Sequence, residues 1–67
     1  MQIYETSVEV FGNNYKVRVH EWTTRGGKTM YEAKGWCRDR TIKGRSATTY
    51  EKAVDNWEHK AQMYLDY

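Results

Sequence analysis

Only one stretch of this chain repeats its apolar residues at helical spacing, and most of what precedes it alternates. Tyr50, Ala53, Val54, Trp57, Ala61, Tyr64 and Leu65 recur every three or four positions, which places them on one helical face. Lys52, Asp55, Glu58, Gln62 and Asp66 occupy the opposite, water-facing side. No proline interrupts the run, and Thr48 with Glu51 three residues later predicts a capping box at its start. Upstream, Tyr4–Val10 sets Tyr4, Thr6, Val8 and Val10 against Glu5, Ser7 and Glu9, the period-two pattern of a half-buried strand. Tyr15–Trp22 and Met30–Arg38 alternate likewise, and Thr41-Ile42 predicts a short edge strand before Gly44 turns the chain. The expectation is an α+β domain, β-β-β-α: a three-stranded antiparallel sheet, with that short fourth strand, packed on one C-terminal α-helix. One helix covers one face of a sheet. The other face is left to water, to a second copy or to a partner.

Strand parity assigns residues to the two faces. Val8, Val10, Val17, Val19, Ala33 and Gly35 should lie under the helix, where the small Ala33 and Gly35 leave room for Trp57. Lys16, Arg18, His20, Trp22, Met30, Lys34, Trp36 and Arg38 should point the other way, with Phe11 near the edge. Gly12-Asn13-Asn14 tolerates positive φ and predicts the first hairpin turn. Thr23–Lys28, with its Gly26-Gly27 pair, is a longer loop.

Size limits what such a chain can do. At 67 residues it reads as a single domain over 1–67, without repeats or linkers, that buries only about 60% of its unfolded surface. A core that small leaves little room for an active-site cavity. Mean hydropathy is −1.02, yet aromatics reach 15%, which separates the chain from disordered sequences. Its lone Cys37 has no internal disulfide partner, and no apolar run approaches the roughly 20 residues of a membrane span. With Met1 at the start and no signal peptide, the expectation is a complete small open reading frame working in the cytoplasm, with no membrane contact.

Charge is uneven along the chain. Net charge is +2, but residues 1–24 carry −1, residues 25–45 carry +5 and residues 46–67 carry −2. The basic block is Arg25, Lys28, Lys34, Arg38, Arg40, Lys43 and Arg45 against Glu32 and Asp39.

Catalytic and metal chemistry find little support in these residues. Parity sends Cys37 and His20 to opposite faces, so they do not form a thiol–imidazole pair, and Cys37 reads as a small packed residue. His59 reads as solvated beside Glu58 and Lys60. Two separated histidines and one cysteine lack the clustering of a zinc site, and Gly26-Gly27-Lys28 lacks the full spacing of a phosphate loop. The expectation is therefore no enzyme, no metal and no cofactor. Binding fits better. Cations beside aromatic rings suit phosphates and bases, while Trp, Tyr, Met and Arg are also the residues enriched in protein-interface hot spots. Trp rings packed across the stems of Lys and Arg would also stabilise an open sheet with no ligand at all.

Three families share parts of this layout. Tyr15–Val19, Gly35–Arg45 and Thr49-Tyr50-Glu51-Lys52-Ala53 resemble the arm-DNA-binding domains of phage-type tyrosine recombinases, which implies a three-stranded sheet that enters the major groove. Gly44-Arg45-Ser46 before the helix is similar to double-stranded-RNA-binding domains. The stretch from Lys43-Gly44 to Ala53, and on to Tyr64-Leu65, resembles HicB-type antitoxins. A standalone frame of 67 residues with no enzyme signature and one exposed adhesive face leads instead to the expectation of a small binding protein encoded by a phage or mobile element, which inhibits a host factor in the manner of anti-defence or anti-CRISPR proteins. Its contact residues would be Lys16, Arg18, His20, Trp22, Lys34, Trp36, Arg38, Arg40 and Lys43. The partner would be a host protein, such as a nucleic-acid-handling complex. The alternative is a module that binds DNA or RNA directly with the same face, and a homodimer could occupy that face in either case.

Overall fold

The computed structural model describes residues 2–66. Four strands and one helix follow in chain order: β1 (Gln2–Val10), β2 (Asn13–Thr23), β3 (Thr29–Cys37), β4 (Arg40–Lys43) and α1 (Tyr50–Leu65). The strands form one antiparallel sheet in the order β1-β2-β3-β4. This is the expected α+β arrangement, with the short edge strand present as β4.

The first hairpin is tighter than the sequence predicts. Val10 pairs with Asn13, so the turn is Phe11-Gly12, and both have positive φ (51° and 83°), the signature of a two-residue type I′ turn. Asn13 and Asn14 belong to β2. The β3–β4 connection is also two residues long, Arg38-Asp39, with Arg38 at φ 59°. Between β2 and β3 the loop closes on itself, Thr24 N–H donating to Lys28 O at 2.8 Å and Gly27 N–H to Thr24 O at 2.9 Å.

After β4 the chain keeps following β3. Gly44 N–H donates to Ala33 O at 2.8 Å, and Ala47 and Tyr31 exchange two hydrogen bonds of 2.8 Å. The helix then begins at Thr49, not Thr48: the Thr49 side chain accepts from the Lys52 N–H at 3.2 Å. With Lys52 at the third helical position, the Glu arm of a capping box has no place, and Glu51 instead favours the positive end of the helix from the first turn.

Trp57 organises the core. It is fully buried among Val8, Val10, Val17, Val19, Ala33, Cys37, Ile42, Ala53 and Ala61, with Tyr15 tilted against its ring at 6.2 Å. Its indole N–H donates to Ile42 O at 2.8 Å, which satisfies the one polar atom that burial would otherwise penalise. Two glycines make the seat. A Cβ on Gly35 would meet Trp57 Cζ2 at 2.8 Å, and one on Gly44 would meet Trp57 N at 2.8 Å. Cys37 is wholly buried, and loss of solvent pushes its thiol up, keeping it protonated and unreactive. Near the helix start, Tyr4 and Tyr50 meet edge to face at 5.8 Å and tie β1 to α1.

Candidate functional site

With the helix on one face, the register arranges the other face in rows. Glu5 of β1, Arg18 of β2, Lys34 of β3 and Lys43 of β4 stand directly opposite one another across all four strands. Ile3, His20 and Glu32 form a neighbouring row, Ser7 faces Lys16, and Trp36 faces Thr41. Trp22 and Met30 pair near the loop end of the sheet.

An open concavity of ≈ 680 Å³ lies on this face, lined by Glu5, Thr6, Ser7, Lys16, Arg18, His20, Lys34, Trp36 and Thr41. Five of the expected contact residues, Lys16, Arg18, His20, Lys34 and Trp36, come together in it. Trp22 does not: it is half-buried beside Met30, outside the concavity. Trp36 is 61% exposed, the largest ring of the chain left so open.

Two assigned residues leave the open face. β3 stops at Cys37, and Arg38 enters the turn with positive φ, so strand parity no longer applies to it. Its guanidinium instead reaches the end of the helix, donating to Leu65 O at 3.4 Å and lying 6.0 Å from the Tyr64 ring centre. Arg40 also turns toward the helix, with its guanidinium 5.0 Å from the same ring. Between them, Asp39 accepts the Tyr64 hydroxyl; this bond holds the Asp39 carboxyl below its usual range and raises the Tyr64 phenol. Arg38 and Arg40 therefore fasten the β3–β4 turn to α1.

The electrostatics of the open face are mixed. Lys16, Arg18, Lys34 and Lys43 share it with Glu5, Glu9 and Glu32, four cations against three carboxylates. Glu5 pairs with Arg18 at 3.6 Å and Glu32 with Lys34 at 3.7 Å. Three cations directly opposite on adjacent strands repel one another, and those two carboxylates relieve only part of the cost.

A second open trough, ≈ 690 Å³, lies along the β4 edge and is lined by Lys43, Gly44, Arg45, Asn56, His59, Lys60 and Met63. Lys43 thus closes the charged row on one side and borders this trough on the other. These helical residues are not among the contact residues expected from the sequence. The signal was nonetheless there: Lys52, Asn56, His59, Lys60 and Met63 share one flank of the exposed helix surface at helical spacing, while Glu51, Asp55, Glu58 and Asp66 share the other.

Among the described residues no helix is long and apolar enough to cross a membrane. Comparison of the chain with protein-family models, curated proteins and solved structures finds no match.

Proposed function

We propose that this chain is a small non-enzymatic protein-binding factor that inhibits a host protein by covering part of its surface with the open sheet face. The observation that carries this reading is Trp36, an exposed ring set in a concavity with a balanced mixture of charges. Interface hot spots have this anatomy: an aromatic anchor that fills a partner's pocket, surrounded by polar groups that complete the seal. A phosphate backbone would meet Glu5, Glu9 and Glu32 along with the cations. A protein can answer both signs, with carboxylates toward Lys16 and Lys34 and a cation toward Glu9. Inhibition by occlusion requires no catalytic group, which suits a domain of this size.

The test is capture of a partner from host lysate with Trp36→Ala and Lys16→Glu variants beside the wild type, with and without nuclease. The expected result is a nuclease-resistant partner. Trp36→Ala should weaken its binding by about 2 kcal/mol or more, roughly thirtyfold in Kd. A partner released by nuclease alone, or one indifferent to Trp36, would contradict the proposal.

A further inference from the structure

On the open face Arg18 and Lys34 are paired with carboxylates, whereas the cations of the trough at the β4 edge are not. No described carboxylate lies within ion-pair distance of Lys43, Arg45 or Lys60, and the trough lining contains no Asp or Glu. Three separate elements deliver them: Lys43 ends β4, Arg45 lies in the segment beyond it, and Lys60 projects from α1. Their relative positions are therefore fixed by the fold. The Asn56 side-chain amide donates to Arg45 O at 3.1 Å and holds the loop wall against the helix. Gly44, hydrogen-bonded to Ala33 and packed against the Trp57 backbone, anchors the floor. Along the helix Glu51, Asp55 and Glu58 stay out of the trough lining.

We infer that this trough binds the phosphate backbone of a nucleic acid at the sheet edge, a surface that shares only Lys43 with the open sheet face. Cations on both walls match a polymer that carries a charge at every repeat, and Arg45 presents the fork that suits phosphate oxygens. Asn56 and His59 add polar groups for sugar and phosphate oxygens, while Met63, 54% exposed, supplies apolar surface for a sugar. An extended acidic peptide would also need pockets for alternate side chains, and Met63 is the only large apolar residue lining the trough. The site would let the molecule hold a protein on one face and a nucleic acid at its edge.

Fluorescence anisotropy with a labelled 20-base-pair duplex tests the inference, with a labelled poly-glutamate of similar charge as a second probe. Three phosphate contacts predict a log–log salt slope of about −2.7, so affinity should fall roughly fortyfold between 50 and 200 mM salt. The double variant Arg45→Glu, Lys60→Glu, at exposed positions, should lose at least tenfold in affinity while unfolding at the wild-type temperature. Trp36→Ala should stay within twofold, which separates this site from the protein-binding face. The inference is overturned by no duplex binding at 50 mM salt, by a double variant that binds like the wild type, or by poly-glutamate binding as tightly as the duplex.

Discussion

Single residues decide how firmly the pieces of this chain are joined. Thr48 and Thr49 are both competent caps in sequence terms, and the Glu51 spacing favours Thr48. The structure selects Thr49, because the chain stays paired to β3 through Ala47 and its next turn brings Thr49 to the Lys52 N–H. Thr49→Ala should therefore cost about 1 kcal/mol and Thr48→Ala no more than about 0.5, readable as separate shifts in urea midpoint. The Asp39–Tyr64 hydrogen bond makes a pH prediction. Asp39 is depressed in the fold, so its contribution is present above the ordinary carboxylate range and lost as pH falls through the lowered value. Tyr64 is raised, so its contribution holds below the ordinary tyrosine range and is lost as pH climbs through the raised value. Asp39→Asn should be less stable than the wild type at neutral pH, with the gap closing in acid. A gap unchanged down to pH 2 would show that the bond carries none of this dependence. This corner was not legible in the sequence, because parity was extended one residue beyond the end of β3.

Among the elements, the strands and the helix were the most readable part of the chain. Alternation in β1–β3 and helical spacing from Tyr50 to Leu65 follow from one-sided burial: Val8, Val10, Val17, Val19, Ala33, Ala53, Trp57 and Ala61 are buried as expected, while Tyr50, Val54, Tyr64 and Leu65 are partly buried and Tyr4 is exposed. The connections were less readable, because turn geometry depends on φ at single residues. A Phe in a positive-φ turn is a choice that propensity does not foretell, and Phe11 takes it so that Val10 and Asn13 stay paired. The close approach of β4's exit to the helix was also hidden, since in sequence Gly44 looks like a turn residue and nothing more. A Cβ there would collide with Trp57 backbone atoms at 2.8 and 2.9 Å, which no rotamer change relieves. At Gly35 the nearest atom belongs to the indole ring, which has some freedom to shift, although Lys16 O stands at 3.0 Å. Gly35→Ala should cost about 1–3 kcal/mol and Gly44→Ala more, measured by denaturant midpoint at constant slope. Equal stability of Gly44→Ala and the wild type would refute the close packing of α1 on this segment.

Across the whole molecule, measuring about 39 × 19 × 19 Å, the single helix sets both the fold and the surface left for function. It covers one face of the sheet and leaves Trp36, Lys16, Arg18, His20 and Lys34 together on the other. Most of that face was legible from parity alone. Its balance of charge was not, because Glu5 sits on a different strand from Arg18, the cation it faces, and only the register brings them together. The register also shows why the basic block of residues 25–45 does not make one basic surface. Arg38 and Arg40 turn to the helix, Lys34 meets Glu32, and Lys43 and Arg45 border the trough at the sheet edge. On the open face Trp36 is the proposed anchor for a protein partner. The most direct measurement is the Kd of the captured partner for wild type and Trp36→Ala, after nuclease treatment, beside the thermal unfolding of both proteins. The expected result is a loss of about thirtyfold in affinity with stability changed by no more than about 0.5 kcal/mol. Equal affinity of the two proteins, or a loss that merely tracks unfolding, would contradict it.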